Sequence, residues 1–307
     1  MQISKSPNFK RKENTPVVIA IGAFDGLHLG HQKIINRTKK IAKVQNLPCG
    51  IFTFSPHPLR VISDMKAPGH LLSTRQKLKK IKKMNLDYYF KQKFTREFSN
   101  INFENFIKNI LIDKINIDSV VVGEDFKFGN EARGDKETLM ELSEKYDFGI
   151  EILPHLKINN QVVSSSFIRS LVKKGEVGQI PDFLGDYYEI EGKVIKGEGR
   201  GKELGFPTAN LELPVDYVLP EPGVYAGYVY YQNQSYKAIG NFGFKPTFSG
   251  KKYQIEIHIL DLSREIYGEN ISFEMVKFIR EEKKYENIEK LKEQIKRDIL
   301  YTDNVLW

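Results

Sequence analysis

The chain has 307 residues, 40% hydrophobic and 28% charged, with a formal net charge of +8. Its length allows two ordinary domains and its composition is that of a soluble globular protein. The single cysteine, Cys49, excludes an intrachain disulfide framework and a multi-cysteine metal site, and no apolar run approaches the length of a membrane span. The basic balance points to an anionic partner. The lysines are spread over helix faces such as KLKKIKKM (77–84) and EKLKEQIKRD (289–298). They form no patch interleaved with aromatics, so small phosphorylated ligands account for the charge better than nucleic acid does. The stretch from Met1 to Pro16 is polar and basic and lacks the apolar core of a secretory signal. The expectation is a cytoplasmic protein with neither a nucleic-acid nor a membrane partner.

In chain order, Val17–Ile21 is a continuous apolar run, the composition of a strand buried on both faces. Glycine turns follow at Gly22 and Gly26, and a helical pattern begins at about Gly30. His28 and His31, in an H-x-G-H spacing, fall where strand gives way to helix. A helix start presents unpaired N–H groups and partial positive charge, and two imidazoles there suit a polyphosphate under attack. A histidine at that place also serves simply as a helix cap.

CGIFTF (49–54) reads as a strand and SPHPLRVIS (55–63) as a loop. A helix with Ser73 and Gln76 in capping-box spacing follows. Phe103, Phe106, Ile107, Ile110 and Leu111 share one helical face. SVVVG (119–123) reads as a buried strand, followed by the loop EDFKFGNEARGD, the helix KETLMELSEKY and the strand GIEILPHL. Alternating strands and helices predict a parallel sheet whose ligands bind beyond the carboxyl ends of the strands, where the histidines and the GEDFKFG and SPHP loops converge. Ser164–Ser166 begin another helix with Phe167, Ile168, Leu171 and Val172 as its apolar face and Gly175 as its stop. Arg169 lies in the first turn, where the helix dipole disfavours a cation unless an anion joins it.

From Asp186 onward strands dominate: YYEIEGKVIKG, GVYAGYVYY, SYKAIGNF, YQIEIHILD and ENISFEMVKFI. A terminal helix places Ile288, Leu291 and Ile295 on one face. The expected second domain is a small antiparallel β-barrel with a C-terminal helix, with the boundary between residues 1–185 and 186–307. GEGRGKELGFPTANL (197–211) holds four glycines in nine residues and matches neither a Walker A loop nor a dinucleotide fingerprint, no helix being expected after it. Its amides can wrap phosphates, and Thr208 and Asn210 supply hard oxygens suited to Mg²⁺; an ordinary glycine-rich loop is the alternative. In YQIEIHIL, Ile255, Ile257 and Ile259 face one way and Gln254, Glu256 and His258 the other. That polar face is either solvent-exposed or the lining of a site in which Glu256 accepts a proton from a hydroxyl.

Taken together, the ordered pieces GAFDGLHLGH, TFSPHP, VVGEDFKFG, SSSFIR, GRGKELGFPTANL, GVYAG, KPTF, IEIHILD and YGENISFEMVKFIREE resemble the bifunctional bacterial riboflavin kinase/FAD synthetase family over nearly the whole chain. The resemblance implies a barrel that phosphorylates riboflavin to FMN with ATP. It implies an α/β parallel-sheet, Rossmann-like N-terminal domain of the H-x-G-H nucleotidyltransferase type that adenylylates FMN to FAD. By the same resemblance His28 and His31 would hold the ATP phosphates, with Gly22, Phe24 and Asp25 shaping the nucleotide pocket. Ser165, Ser166 and Arg169 would complete the clamp, and Asp125 and Phe126 would lie at the flavin. In the kinase, Gly197, Gly199, Gly201 and Lys202 would meet ATP, Thr208 and Asn210 would coordinate Mg²⁺–ATP, and Glu256 would be the general base. Departures from the common family pattern are Ser55 at an acidic position, Ser166 for threonine and Lys245 for arginine. A chain with one active half, or a flavin-binding regulator, are the competing readings.

Overall fold

The computed structural model describes residues 1–6, 9, 15–62, 67–247 and 250–306. Trp307 and Phe248, the end of the KPTF piece, lie outside the described residues. The chain forms two compact units, Met1–Pro68 with Thr74–Ser164, and Gly69–Ser73 with Ser165–Trp307.

The first unit is built on β1 (Gln2–Lys5), β2 (Val17–Ile21), β3 (Cys49–Ser55), β4 (Tyr88–Lys93), β5 (Ile117–Gly123) and β6 (Gly149–Leu153). They form one sheet in the order β1-β4-β3-β2-β5-β6, and every pairing is parallel. Every residue of β2 is buried, as its unbroken apolar run requires of a central parallel strand. Each of its valine and isoleucine side chains contributes roughly 1.5–3 kcal/mol by leaving water. The chain steps from β2 to β3 and β4 on one side, then returns to β5 on the other. The crevice beyond β2 and β5 is therefore the switch point at which such sheets bind ligands. A short antiparallel pair, β7 (Lys157–Ile158) and β8 (Gln161–Val162), ends the unit.

Three local features differ from the sequence-based expectation. The sequence pattern does not mark strands β1 and β4; both are on the outer side of the sheet, where the apolar run is short or broken by lysine and glutamine. Within SPHPLRVIS, Leu59–Ile62 forms one helical turn. The helix expected from Phe103 continues from Phe106 to Ile115 with π-type hydrogen bonding, while still burying Phe106, Ile107, Ile110 and Leu111.

The second unit is a closed antiparallel barrel of β9 (Tyr188–Ile195), β10 (Ala209–Glu212), β11 (Gly223–Tyr231), β12 (Gln234–Thr247), β13 (Gly250–Ile259) and β14 (Asn270–Arg280). Closure leaves no open sheet edge. Tyr188, Tyr225, Phe242 and Phe273 are fully buried within it. At Gly227 the register shifts, and a Cβ would stand 1.9 Å from the Glu274 carbonyl, so only glycine fits. The unit begins before the pattern change at 185/186: helix Ser165–Lys173 buries Ile168, Leu171 and Val172, and Phe167 meets Phe183 edge-on at 4.8 Å. Residues Gly69–Ser73 join the same unit, with His70 accepting from Val218 N at 3.0 Å and its amide donating to Asp216 O at 2.7 Å.

The terminal helix, Ile288–Val305, is capped by Asn287, whose side chain accepts from Lys290 N at 2.9 Å. Of its expected apolar face, Leu291 and Ile295 are half-buried but Ile288 is 56% exposed, and the fully enclosed residues are Asp298 and Thr302. Asp298 is buried because Arg280 of β14 grips both its oxygens, at 3.1 Å from Nε and 2.7 Å from Nη2, while Gln294 donates to it at 2.9 Å. A polar pair therefore holds the helix to the barrel, and removing one partner of so enclosed a pair costs about 3–5 kcal/mol.

Candidate active sites

In the first unit the turn after β2 is tightly coiled. Phe24, Gly26 and Leu27 all have left-handed φ, at 48°, 81° and 51°. The helix Leu29–Gln45 starts directly after it with His28 as N-cap, and His28 Nδ1 accepts from His31 N at 3.3 Å. A neutral His28 therefore carries its proton on Nε2. The capping and phosphate-site readings are compatible, because capping uses only one ring nitrogen. The two imidazoles stack with centroids 3.6 Å apart, and a Cβ at Gly30 would press on His28 Nδ1 at 3.1 Å. Phe24 closes edge-on against His31 at 5.3 Å.

Burial holds the His31 pKa well below the usual imidazole value, and His28 and Lys77 push it the same way. His31 Nδ1 is buried with no hydrogen-bond partner among the described residues. The site thus favours a neutral His31 imidazole at a helix start, where an incoming polyphosphate meets N–H donors and the helix dipole. Gly22 lies under the Phe24 ring, and the Asp25 charge acts on Lys77. Asp125 and Phe126 lie on the turn after β5; Asp125 is exposed and Phe126 stacks on Phe128 at 5.4 Å. Ser165, Ser166 and Arg169 belong to the second unit, where Arg169 Nε donates to Gly69 O at 3.0 Å. A backbone carbonyl thus already partners the cation in the first helical turn.

In the barrel the glycine-rich segment departs from expectation, since Arg200–Leu204 forms a short helix between left-handed Gly199 and Gly205. Gly197, Gly199, Gly201, Lys202, Thr208 and Asn210 line one cavity, as their clustering in sequence predicts. A Cβ at Gly197 would fall 2.1 Å from Asn210 Nδ2, so the loop lies directly on the asparagine. Lys202 pairs with Glu265 at 3.0 Å. Asn210 and Glu256 are register partners on β10 and β13. Gln254 Nε2 donates to both, at 2.8 Å to Glu256 Oε1.

Ile255, Ile257 and Ile259 are buried, as the alternation predicts, and Gln254, Glu256 and His258 on the opposite face line cavities. Glu256 lies between two cavities. One is polar, with Gly199, Gly201, Thr208, Asn210 and Lys245; the other is mainly apolar, with Leu204, Phe206, Ile239, Tyr285, Leu291 and Ile295 alongside the charged Arg280, Glu282 and Lys283. Desolvation raises the Glu256 pKa, opposed by Lys245 and reinforced by Glu198. A carboxylate poised this way is a stronger base than a solvated one.

The described residues contain no cluster of three or more His, Cys, Asp or Glu able to hold a metal. Thr208 and Asn210 fit a cation whose charge is met chiefly by the phosphates it accompanies, as Mg²⁺ prefers. Sequence reasoning missed Lys77, which reaches the histidine turn, and the apolar cavity beside Glu256. For Lys77 the signal was its place one helical turn before buried Ile81. For the cavity it was Leu204 and Phe206 inside an otherwise polar loop.

Residues 10–167 match the family model described as FAD synthetase, and residues 184–306 match riboflavin kinase. Proteins described as bifunctional riboflavin kinase/FMN adenylyltransferase are similar throughout. The one from Bacillus subtilis is 36% identical, covering 94% of this chain and 92% of its own. That from Buchnera aphidicola of Schizaphis graminum is 35% identical, covering 97% of each chain. A solved structure from Streptococcus pneumoniae, described as a macrolide-efflux protein, superposes with a TM-score of 0.91 at 28% identity over 99% of both chains. No helix among the described residues here is long and apolar enough to cross a membrane. With both models matched in order and relatives above 30% identity over nearly the full length, the chain belongs to the bifunctional riboflavin kinase/FMN adenylyltransferase family.

Proposed function

We propose that the barrel transfers the γ-phosphoryl group of ATP to the 5′-hydroxyl of riboflavin, and that the parallel-sheet unit then joins AMP from a second ATP to the FMN formed. The observation that carries the kinase half is the position of Glu256 between a polar and an apolar cavity. The apolar cavity suits a flavin ring, and the polar one suits ATP phosphates met by Gly199, Gly201 and Thr208, with Gly197 and Lys202 lining a further cavity along the same glycine-rich segment. Glu256 takes the hydroxyl proton, the oxygen attacks the γ-phosphorus, and ADP leaves. Thr208 and Asn210 would hold Mg²⁺, which supplies charge neutralisation on the phosphates when bound.

In the second reaction the FMN phosphate is already anionic, so no base is needed. Its oxygen attacks the α-phosphorus of ATP and pyrophosphate leaves. His28 and His31 hold the phosphates and meet the charge that builds there. Gly22, Phe24 and Asp25 shape the nucleotide side, and Asp125 and Phe126 lie on the flavin side. On this reading the substrates and products are riboflavin, FMN, FAD and ATP. Neither nucleic acid nor membrane is a partner, and the lone buried Cys49 suits a cytoplasmic setting.

The test is to incubate the chain with riboflavin, ATP and Mg²⁺ and to separate the flavins by chromatography. FMN followed by FAD is the expected sequence. FAD formed only from supplied FMN would remove the kinase half, and no conversion under any condition would overturn both.

A further inference from the structure

Lys77 lies on the helix Thr74–Lys83, yet it serves the turn after β2. Its ammonium donates to the Ala23 carbonyl at 2.6 Å and to Thr53 Oγ1 at 3.0 Å. The Thr53 hydroxyl donates to the same carbonyl at 3.1 Å. Two side chains from separate elements thus converge on one backbone oxygen. That oxygen immediately precedes Phe24, whose φ of 48° is unfavourable for a residue with a Cβ. Phe24 is fully buried and its ring packs edge-on against His31. Strain of this kind persists only where the surroundings over-determine it, and the Lys77–Thr53 clamp is what holds it here.

A lysine ammonium is an unfavourable group to enclose for packing alone. Burial pushes Lys77 down to about 8, with Asp25 pulling it back up and Lys91 pushing it further down. A perturbed group on the edge of a site, with specific charged neighbours, is a candidate for a functional position, and here the two hydrogen bonds to the turn say what it does. Lys77 in turn disfavours the charged form of His31, alongside burial and His28.

We propose that Lys77 is a positioning residue of the adenylyl-transfer site: by holding the Ala23 carbonyl it fixes the turn that carries Phe24, and through Phe24 the ring of His31. The inference rests on the assignment of His28 and His31 to adenylyl transfer. Its charge also opposes protonation of His31, so the resting site presents a neutral imidazole. Thr53 shares the clamp but contributes no charge, which separates the two effects.

The experiment uses the full chain as wild type, Lys77→Met and Thr53→Val. It measures FAD formation from FMN and ATP, and the His31 imidazole titration by NMR, assigned with His31→Ala. Lys77→Met is expected to lower kcat/KM for FAD formation about 10- to 100-fold, the scale of a misplaced catalytic group. His31 should then titrate at higher pH, because an opposing cation is gone. Thr53→Val should lower the rate by less, about threefold to tenfold, with the His31 titration unmoved. A Lys77→Met rate within twofold of wild type, or an unmoved His31 titration in that variant, overturns the proposal. Should Lys77→Met fail to fold by circular dichroism, Thr53→Val decides: a reduced rate at unchanged Tm supports the clamp and an unchanged rate overturns it. A wild type without FAD formation, or a fully active His28→Ala, instead removes the underlying site assignment and is recognisable as such.

Discussion

The two units gather different groups at the sites proposed for phosphate transfer, and the difference follows from the nucleophile each would meet. In the parallel-sheet unit the attacking group, a phosphate, is already ionised, and the residues gathered at the switch point are imidazoles and a helix start. In the barrel the attacking group is a hydroxyl, and a carboxylate stands between the two cavities. Burial acts on both sets of groups in the same sense, favouring the uncharged form. It lowers the pKa of His31 and raises that of Glu256. The same desolvation keeps a hydrogen-bonding group neutral in one unit and strengthens a base in the other.

The largest effect that tests this contrast is expected from Glu256→Gln, which keeps the shape but removes the base. Riboflavin phosphorylation should fall about 10²- to 10⁴-fold while supplied FMN is still converted to FAD. Loss of both activities would mean that the two sites are not separate. Next, His28→Ala should lower FAD formation about 10²- to 10³-fold, the scale of a lost transition-state donor, and leave FMN accumulating. Gly197→Ala should be milder. Its Cβ would collide with Asn210 Nδ2, so the kinase KM for ATP should rise about tenfold, in line with tenfold per ~1.4 kcal/mol of lost binding. The smallest effect is in pH dependence. The raised Glu256 pKa means that kinase activity is lost as pH falls through a value above the ordinary carboxylate range. Adenylyl transfer from supplied FMN, which needs no carboxylate base, should lack that limb in parallel rate–pH profiles.

Much of this contrast was legible in the amino-acid order. The apolar run Val17–Ile21 predicts a central parallel strand, and all five residues are buried. The alternation of 253–260 predicts that Ile255, Ile257 and Ile259 share the buried face of β13, because a strand's period of two leaves no freedom once one face is packed. Legibility failed where non-local pairing decides. Nothing local in QISK marks β1, which gains its order by pairing with β4. On the terminal helix, Ile288 is exposed and Asp298 buried because Arg280, eighteen residues earlier on another element, supplies the partner. Lys77 was hidden by composition, as one lysine among several in KLKKIKKM. Only its reach to Ala23 and Thr53 separates it from the solvated lysines beside it.

The most direct measurement is one time course, run on the wild type, Glu256→Gln and His28→Ala with riboflavin, ATP and Mg²⁺, resolving riboflavin, FMN and FAD by chromatography. The account predicts FMN rising before FAD in the wild type, unchanged riboflavin in Glu256→Gln, and FMN accumulating without FAD in His28→Ala. FAD appearing in Glu256→Gln at the wild-type rate, or FMN failing to form in His28→Ala, would contradict it.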